Sequence, residues 1–135
     1  MAFLIDTDIL IYSLKGNRQI NNWMYENQNI PKFISVITFG ELMYGARKSQ
    51  HPEKNLATAI RISELFPIID VNRGVIEVFG ELKAKLEKDG NRIDDMDLLI
   101  ASTAIYMNMS LVTNNKNHFS IIPDLVLEKW EEIKS

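Results

Sequence analysis

Three acidic residues, Asp6, Glu41 and Asp97, each stand beside or inside a strongly apolar stretch. Asp6 follows Ala2-Phe3-Leu4-Ile5, Glu41 lies within Phe39-Gly40-Glu41-Leu42-Met43-Tyr44-Gly45, and Asp97 precedes Leu98-Leu99-Ile100-Ala101. A charge in such surroundings is costly unless something neutralises it. Carboxylates gathered in a partly desolvated cleft raise one another's pKa, and a divalent cation is the simplest remedy. The chain has no cysteine and only two histidines, His51 and His118, far apart in sequence. Donors that are all oxygen favour Mg2+ or Mn2+ over Zn2+. An ion of that kind keeps waters and recruits phosphate oxygens, so the chemistry in view is phosphodiester hydrolysis. Each acid also has a plainer explanation: Asp6 as a helix cap, Glu41 as a helix-surface glutamate, Asp97 as a first-turn acid favoured by the helix dipole.

Positioning these acids requires elements, and the periodicity supplies them. Short β-like runs at Ala2–Ile5, Phe33–Val36, Ile68–Val71 and Ser110–Thr113 alternate with helical patterns. The helices are expected at Thr7–Leu14, Gln19–Gln28, Thr38–Lys48, Glu53–Phe66 with Pro52 in its first turn, and along the stripe Val75, Val78, Phe79, Leu82, Leu86. Asp89-Gly90-Asn91 stops that last helix. Leu98–Met107 is apolar on nearly every face, as a buried helix would be; Leu125–Trp130 is left unassigned. Strands separated by helices imply right-handed crossovers, a short central parallel sheet and an α/β fold, specifically a three-layer α/β/α sandwich. Ligands bind such sheets at the carboxyl ends of the strands. The polar residues expected there are Asp6, Asp8, Ser35, Asp70 and Thr113 to Asn115, with Ser35 and Thr38 as caps or as donors that steady the acids. Of Asp94 and Asp95, one would cap the Asp97 helix, and Asp95 would add an acid at the rim.

At 135 residues the chain suits one domain. Absence of cysteine fits a reducing compartment, and the opening apolar run meets Asp6 and Asp8 too soon to serve as a secretion signal or membrane span, so a cytoplasmic, unanchored protein is expected. A net charge of −3 argues against a broad basic surface for duplex DNA. Local cations such as Arg47 and Lys48 could still meet phosphate, although a solvated helix face is the commoner explanation.

Four blocks in register carry a family resemblance. Phe3-Leu4-Ile5-Asp6-Thr7-Asp8, Ile34 to Leu42, Asp95-Met96-Asp97-Leu98-Leu99-Ile100-Ala101 and Leu111-Val112-Thr113-Asn114-Asn115-Lys116-Asn117-His118-Phe119 resemble the motifs of PIN-domain proteins, with the order and spacing of VapC-type toxins. The similarity runs to Trp130. It implies an Mg2+- or Mn2+-dependent endoribonuclease, commonly a homodimer, acting on structured RNA such as tRNA. It also implies a VapB-type antitoxin that occupies the site and through which the pair meets DNA. By resemblance, Asp6 and Asp97 are direct metal ligands, Glu41 a ligand directly or through water, and Thr113 the threonine that holds a bound water or the Asp6 carboxylate. Two positions depart from the common pattern. Asn115 stands where many relatives have a fourth acid, which puts a second tightly held ion in doubt, and Asp8 stands where many have asparagine.

His118 is read as a surface residue, His51 as loop, and Trp23 and Trp130 as core or dimer anchors. Two rivals remain open. Phe3 to Asp8 also fits the Asp-x-Asp strand end of a haloacid-dehalogenase-like phosphatase, with Asp6 as nucleophile; and some PIN domains are non-catalytic scaffolds.

Overall fold

A computed structural model describes residues 1–128. Four parallel strands, β1 (Phe3–Ile5), β2 (Lys32–Ser35), β3 (Ile68–Ile69) and β4 (Ser110–Val112), form a sheet in the order β3-β2-β1-β4. Seven helices connect and flank them: α1 (Thr7–Leu14), α2 (Arg18–Glu26), α3 (Val36–Arg47), α4 (Pro52–Leu65), α5 (Arg73–Lys88), α6 (Asp95–Tyr106) and α7 (Lys116–Phe119). The register pairs Leu4 with Phe33 on one side and with Leu111 on the other, and Ile34 with Ile68.

The period of two along a strand divides the apolar residues between two cores. Leu4 and Leu111 face Leu82 and Leu86 of α5, Leu98 and Ala101 of α6, and Phe119 of α7. Phe3, Ile5, Ile34 and Val112 face Ile9 and Leu10 of α1, Ile20 of α2, Leu42 of α3 and Ile62 of α4. Helices therefore cover both faces, and the expected three-layer α/β/α sandwich is what the chain adopts. Trp23 packs its ring 5.2 Å from that of Phe3, an anchor to the second core. None of the described helices is long and apolar enough to cross a membrane.

The strand order also fixes the crevice. The chain builds outward from β1 to β2 and β3, then returns across the sheet to place β4 on the other side of β1. Connections leave in opposite directions at the β1/β4 junction, and that divergence opens a cleft at their carboxyl ends. Asp6 and Thr113 are the residues that emerge there. Asp70 instead follows the edge strand β3, two strands away, and is exposed.

Local chemistry shifts several boundaries. Val36, expected in β2, opens α3, because the Ser35 hydroxyl accepts from the Ile37 N–H at 3.0 Å and caps the helix two residues early. β3 stops at Ile69, before the exposed Asp70. The Asp89-Gly90-Asn91 stop is a two-bond helix terminus: Gly90 has φ +80°, its N–H reaches the Glu87 carbonyl, and the Asn91 N–H reaches that of Leu86 at 2.8 Å. It turns the chain toward the first turn of α6, where Asp97 lies. Near Leu125, the chain adds no helix before residue 128; Leu127 forms a parallel bridge with Leu111, which covers the outer edge of β4. Trp130 lies outside the described residues.

Leu4 is fully buried on the central strand, whereas Ile60 on α4 is 48% exposed. Leu4→Ala should therefore cost about 2–5 kcal/mol in denaturant unfolding, and Ile60→Ala less than about 0.5 kcal/mol. Equal effects would contradict this assignment of the core.

Candidate active site

Asp6 begins where β1 ends. Its backbone N–H still donates to the Val112 carbonyl at 2.9 Å, so the residue is clamped to β4 before its side chain leaves the sheet. One carboxylate oxygen, Oδ1, accepts from the Thr7 N–H at 2.8 Å and caps α1; the other, Oδ2, accepts from the Thr113 hydroxyl at 2.8 Å. The plain explanation for Asp6, a helix cap, is thus correct as far as it goes. It does not account for the burial, since the residue is only 7% exposed. Thr113 Oγ1 in turn accepts from the Asn115 N–H at 3.0 Å. Asn115 enters the site through its backbone, and the residue is exposed.

Asp8 lies one helical step on. Its Oδ2 accepts from the Asn114 N–H at 3.1 Å, which ties α1 to the loop after β4, and Oδ1 is buried with no hydrogen-bond partner among the described residues. A buried carboxylate oxygen left unpaired is costly and points to a missing positive partner.

Glu41 reaches the crevice from the second turn of α3. The Thr7 hydroxyl donates to its Oε1 at 2.6 Å and stands 3.3 Å from Oγ1 of the buried Thr38. Thr38 therefore acts as a neighbour of the Thr7–Glu41 pair, and Ser35 as the cap of α3. Thr7 escaped the sequence reading. The signal available was its place between Asp6 and Asp8, where a short hydroxyl on the first turn of a helix can face another element.

Asp97 sits in the first turn of α6, half-buried, with Asp94 as the cap accepting from the Met96 N–H at 3.1 Å. Asp95 is exposed, and Lys83 holds it in an ion pair at 3.0 Å. His118 corrects the expectation of a surface role: its Nε2 lies 3.1 Å from Asp97 Oδ2, with the pair about 30% exposed. The cause is α7, a four-residue helix not anticipated from the sequence, which folds His118 back over the start of α6. The solvated-helix explanation holds for the basic pair at the end of α3: Arg47 and Lys48 are exposed, Lys48 over the Tyr44 ring.

Electrostatically acids dominate the site, and His118 pulls the Asp97 carboxyl down against its burial. Burial, and then the charge of Asp8, push the Asp6 carboxyl up to about 7, against the pull of its Thr113 and Thr7 hydrogen bonds. Burial raises Asp8, Glu41 and Asp97 as well. The Asp97 charge adds to the rise at Asp6, Asp8 and Glu41, so these acids share one field. Among the described residues no three acids or histidines form a ready-made coordination shell. The hard oxygen donors, the orphaned Asp8 Oδ1 and the upward shifts together suit a hard divalent cation.

Comparison with known proteins gives the family of the chain. A family model described as the PIN domain matches residues 3–125. A Rickettsia felis protein named ribonuclease VapC2 is 37% identical over 134 residues, covering 98% of this chain and all of the relative. A Shigella flexneri protein named tRNA(fMet)-specific endonuclease VapC is 33% identical, covering 96% of this chain and 98% of that one. Among solved structures, VapBC2 from Rickettsia felis bound to a DNA fragment from its promoter superposes with a TM-score of 0.90, covering 97% of this chain and all of the matched chain.

The raised Asp6 carboxyl has a signed consequence for stability without divalent ions. Between the ordinary value of 3.8 and about 7, the folded state holds a proton that the unfolded state has released. Stability from this group is therefore full below about pH 4 and is lost as pH rises through 7. Asp6→Asn should be more stable than the wild type at pH 7.5 in a chelator, on the order of a few kcal/mol, and the gap should close toward pH 4. A gap that does not change with pH, followed by thermal melting, would contradict it.

Proposed function

The chain belongs to the PIN-domain family, and from that premise we propose that it is a metal-dependent endoribonuclease, the toxin of a VapBC-type toxin–antitoxin pair. The observation that supports this reading is electrostatic: the charge of Asp97, on α6, adds to the proton affinity of both Asp6, at the end of β1, and Glu41, on α3. The proposed substrate is structured RNA, with tRNA supported by the name of the Shigella flexneri relative. The proposed setting is the cytoplasm, with the chain acting as one nuclease domain in a homodimer.

Asp6 and Asp97 would hold Mg2+ or Mn2+, with Glu41 engaged directly or through a water. When bound, the ion polarises the phosphodiester and makes a water acidic enough to attack it. The chain's own residues supply the rest. Thr113 and the Thr7 N–H fix both oxygens of Asp6, so that its lone pairs point one way. Thr7 occupies Oε1 of Glu41, leaving that carboxylate's second oxygen to take the proton that the attacking water must lose. Hydrolysis then breaks one P–O bond, and the leaving oxygen gains a proton in turn.

The phosphatase alternative has no support in the comparisons. The matching family model is the PIN domain, and the relatives it agrees with are named ribonucleases. Presence of all three acids likewise disfavours a scaffold.

An antitoxin partner is proposed from the solved relatives, which are described as VapBC complexes. An apolar groove of about 450 Å³ between α1, α3 and α4 runs from Glu41 past Leu14, Leu42, Ala46 and Ile62, and it suits an apolar segment of such a partner. Contact with DNA would come through that partner, in keeping with the net charge of −3.

Incubating the purified protein with total RNA and mapping the new ends tests the proposal. Cleavage should vanish in chelator and return with Mg2+ or Mn2+. Asp6→Ala and Asp97→Asn should each lower the rate by about a hundredfold or more, and Glu41→Gln by less. Undiminished cleavage in either aspartate variant would reject the roles given to them.

A further inference from the structure

We propose that His118 is a positioning residue for Asp97, its Nε2 holding Oδ2 of that carboxylate so that the other oxygen is left for a divalent cation. This depends on the role proposed above for Asp97 as a ligand. The contact is 3.1 Å, and an ionised carboxylate can only accept, so the ring donates. Both side chains are about 30% exposed, where a hydrogen bond to a charge is less diluted by water than at an open surface.

The ring is itself held. Phe119, next in the chain, is 1% exposed in the core beneath α6, and its ring meets that of His118 edge-on at 5.3 Å. At its other end α7 is tethered by the Asn115 N–H to Thr113 Oγ1, the hydroxyl that donates to Asp6 Oδ2. Residues 113–118 therefore span the crevice as a bracket. One end orients the buried acid of β1 and the other orients the half-buried acid of α6. Thr7 does the same for Glu41 from a third direction.

Orientation matters because an aspartate free to rotate must be ordered when it binds an ion. Hydrogen bonds to the ligating carboxylate remove that cost in advance, and their loss typically weakens metal binding by about 10–100-fold. With Nε2 occupied by the carboxylate, His118 acts on Asp97, and that nitrogen is not a ligand.

Calorimetric titration of the full chain with Mn2+ tests this, alongside melting temperatures in chelator and RNA cleavage across a range of Mn2+ concentrations. His118→Ala should weaken Mn2+ binding by about 10–100-fold. Its cleavage should fall at limiting Mn2+ and recover when the ion is in excess. His118→Gln, whose amide N–H can still reach Asp97, should restore affinity to within a few-fold. His118→Phe keeps the ring packing without the donor and should behave as His118→Ala does, which also covers the case that the alanine variant fails to fold. Asp97→Asn is the control for the underlying role. If it binds Mn2+ as the wild type does, or the wild type binds none, the ligand assignment falls and this inference with it. If Asp97→Asn is impaired while His118→Ala or His118→Phe keeps wild-type affinity, the inference alone is overturned. A drop in melting temperature with unchanged affinity would likewise leave His118 a merely structural residue and overturn it.

Discussion

The hydrogen bond from the Thr113 hydroxyl to the buried Asp6 carboxylate is the contact on which the rest of the structure turns. It joins the carboxyl end of β1 to that of β4, at the one place where the strand order makes the crossovers diverge. Without the sheet order, Asp6 would be an ordinary cap of α1. With it, the same carboxylate is drawn into a cleft where water is scarce and where Asp8 and Asp97 oppose its charge. The fold thus holds an acid in an unfavourable place. Its two hydrogen bonds lessen the cost and do not cancel it, since the carboxyl remains pushed up to about 7.

That residual cost links stability to activity. A protein selected only to fold would gain by making the site neutral. This one keeps four acids in a shared field, each raised by burial, and leaves Asp8 Oδ1 buried with no hydrogen-bond partner among the described residues. A divalent cation bound as proposed would offset all of these at once. The neighbouring hydroxyls and the imidazole keep the acids pointed inward: Thr7 at Glu41, Thr113 at Asp6, His118 at Asp97.

Much of this could be read from the chain, for reasons that differ by element. The α/β alternation was visible because apolar strands such as Phe3–Ile5 and amphipathic helices such as α5 have distinct periods. Asp6, Glu41 and Asp97 were visible because each acid breaks an apolar run. Helix starts were less visible: Ser35 moves the β2/α3 boundary by side-chain capping, which the pattern of Val36 and Ile37 conceals. α7 is too short to show a period, and so the return of His118 to Asp97 was missed. Thr7 was missed for a related reason, because its partner Glu41 is 34 residues away and only the packing of α1 on α3 brings them together.

The central claim is that Asp6 and Asp97, emerging from β1 and α6, hold one divalent ion between them. Anomalous diffraction from crystals soaked in Mn2+ tests it most directly. The account predicts a manganese peak within bonding distance of both carboxylates, lost on replacing either with alanine. A crevice without manganese while the ion is found elsewhere on the protein, or a peak that survives both replacements, would contradict it.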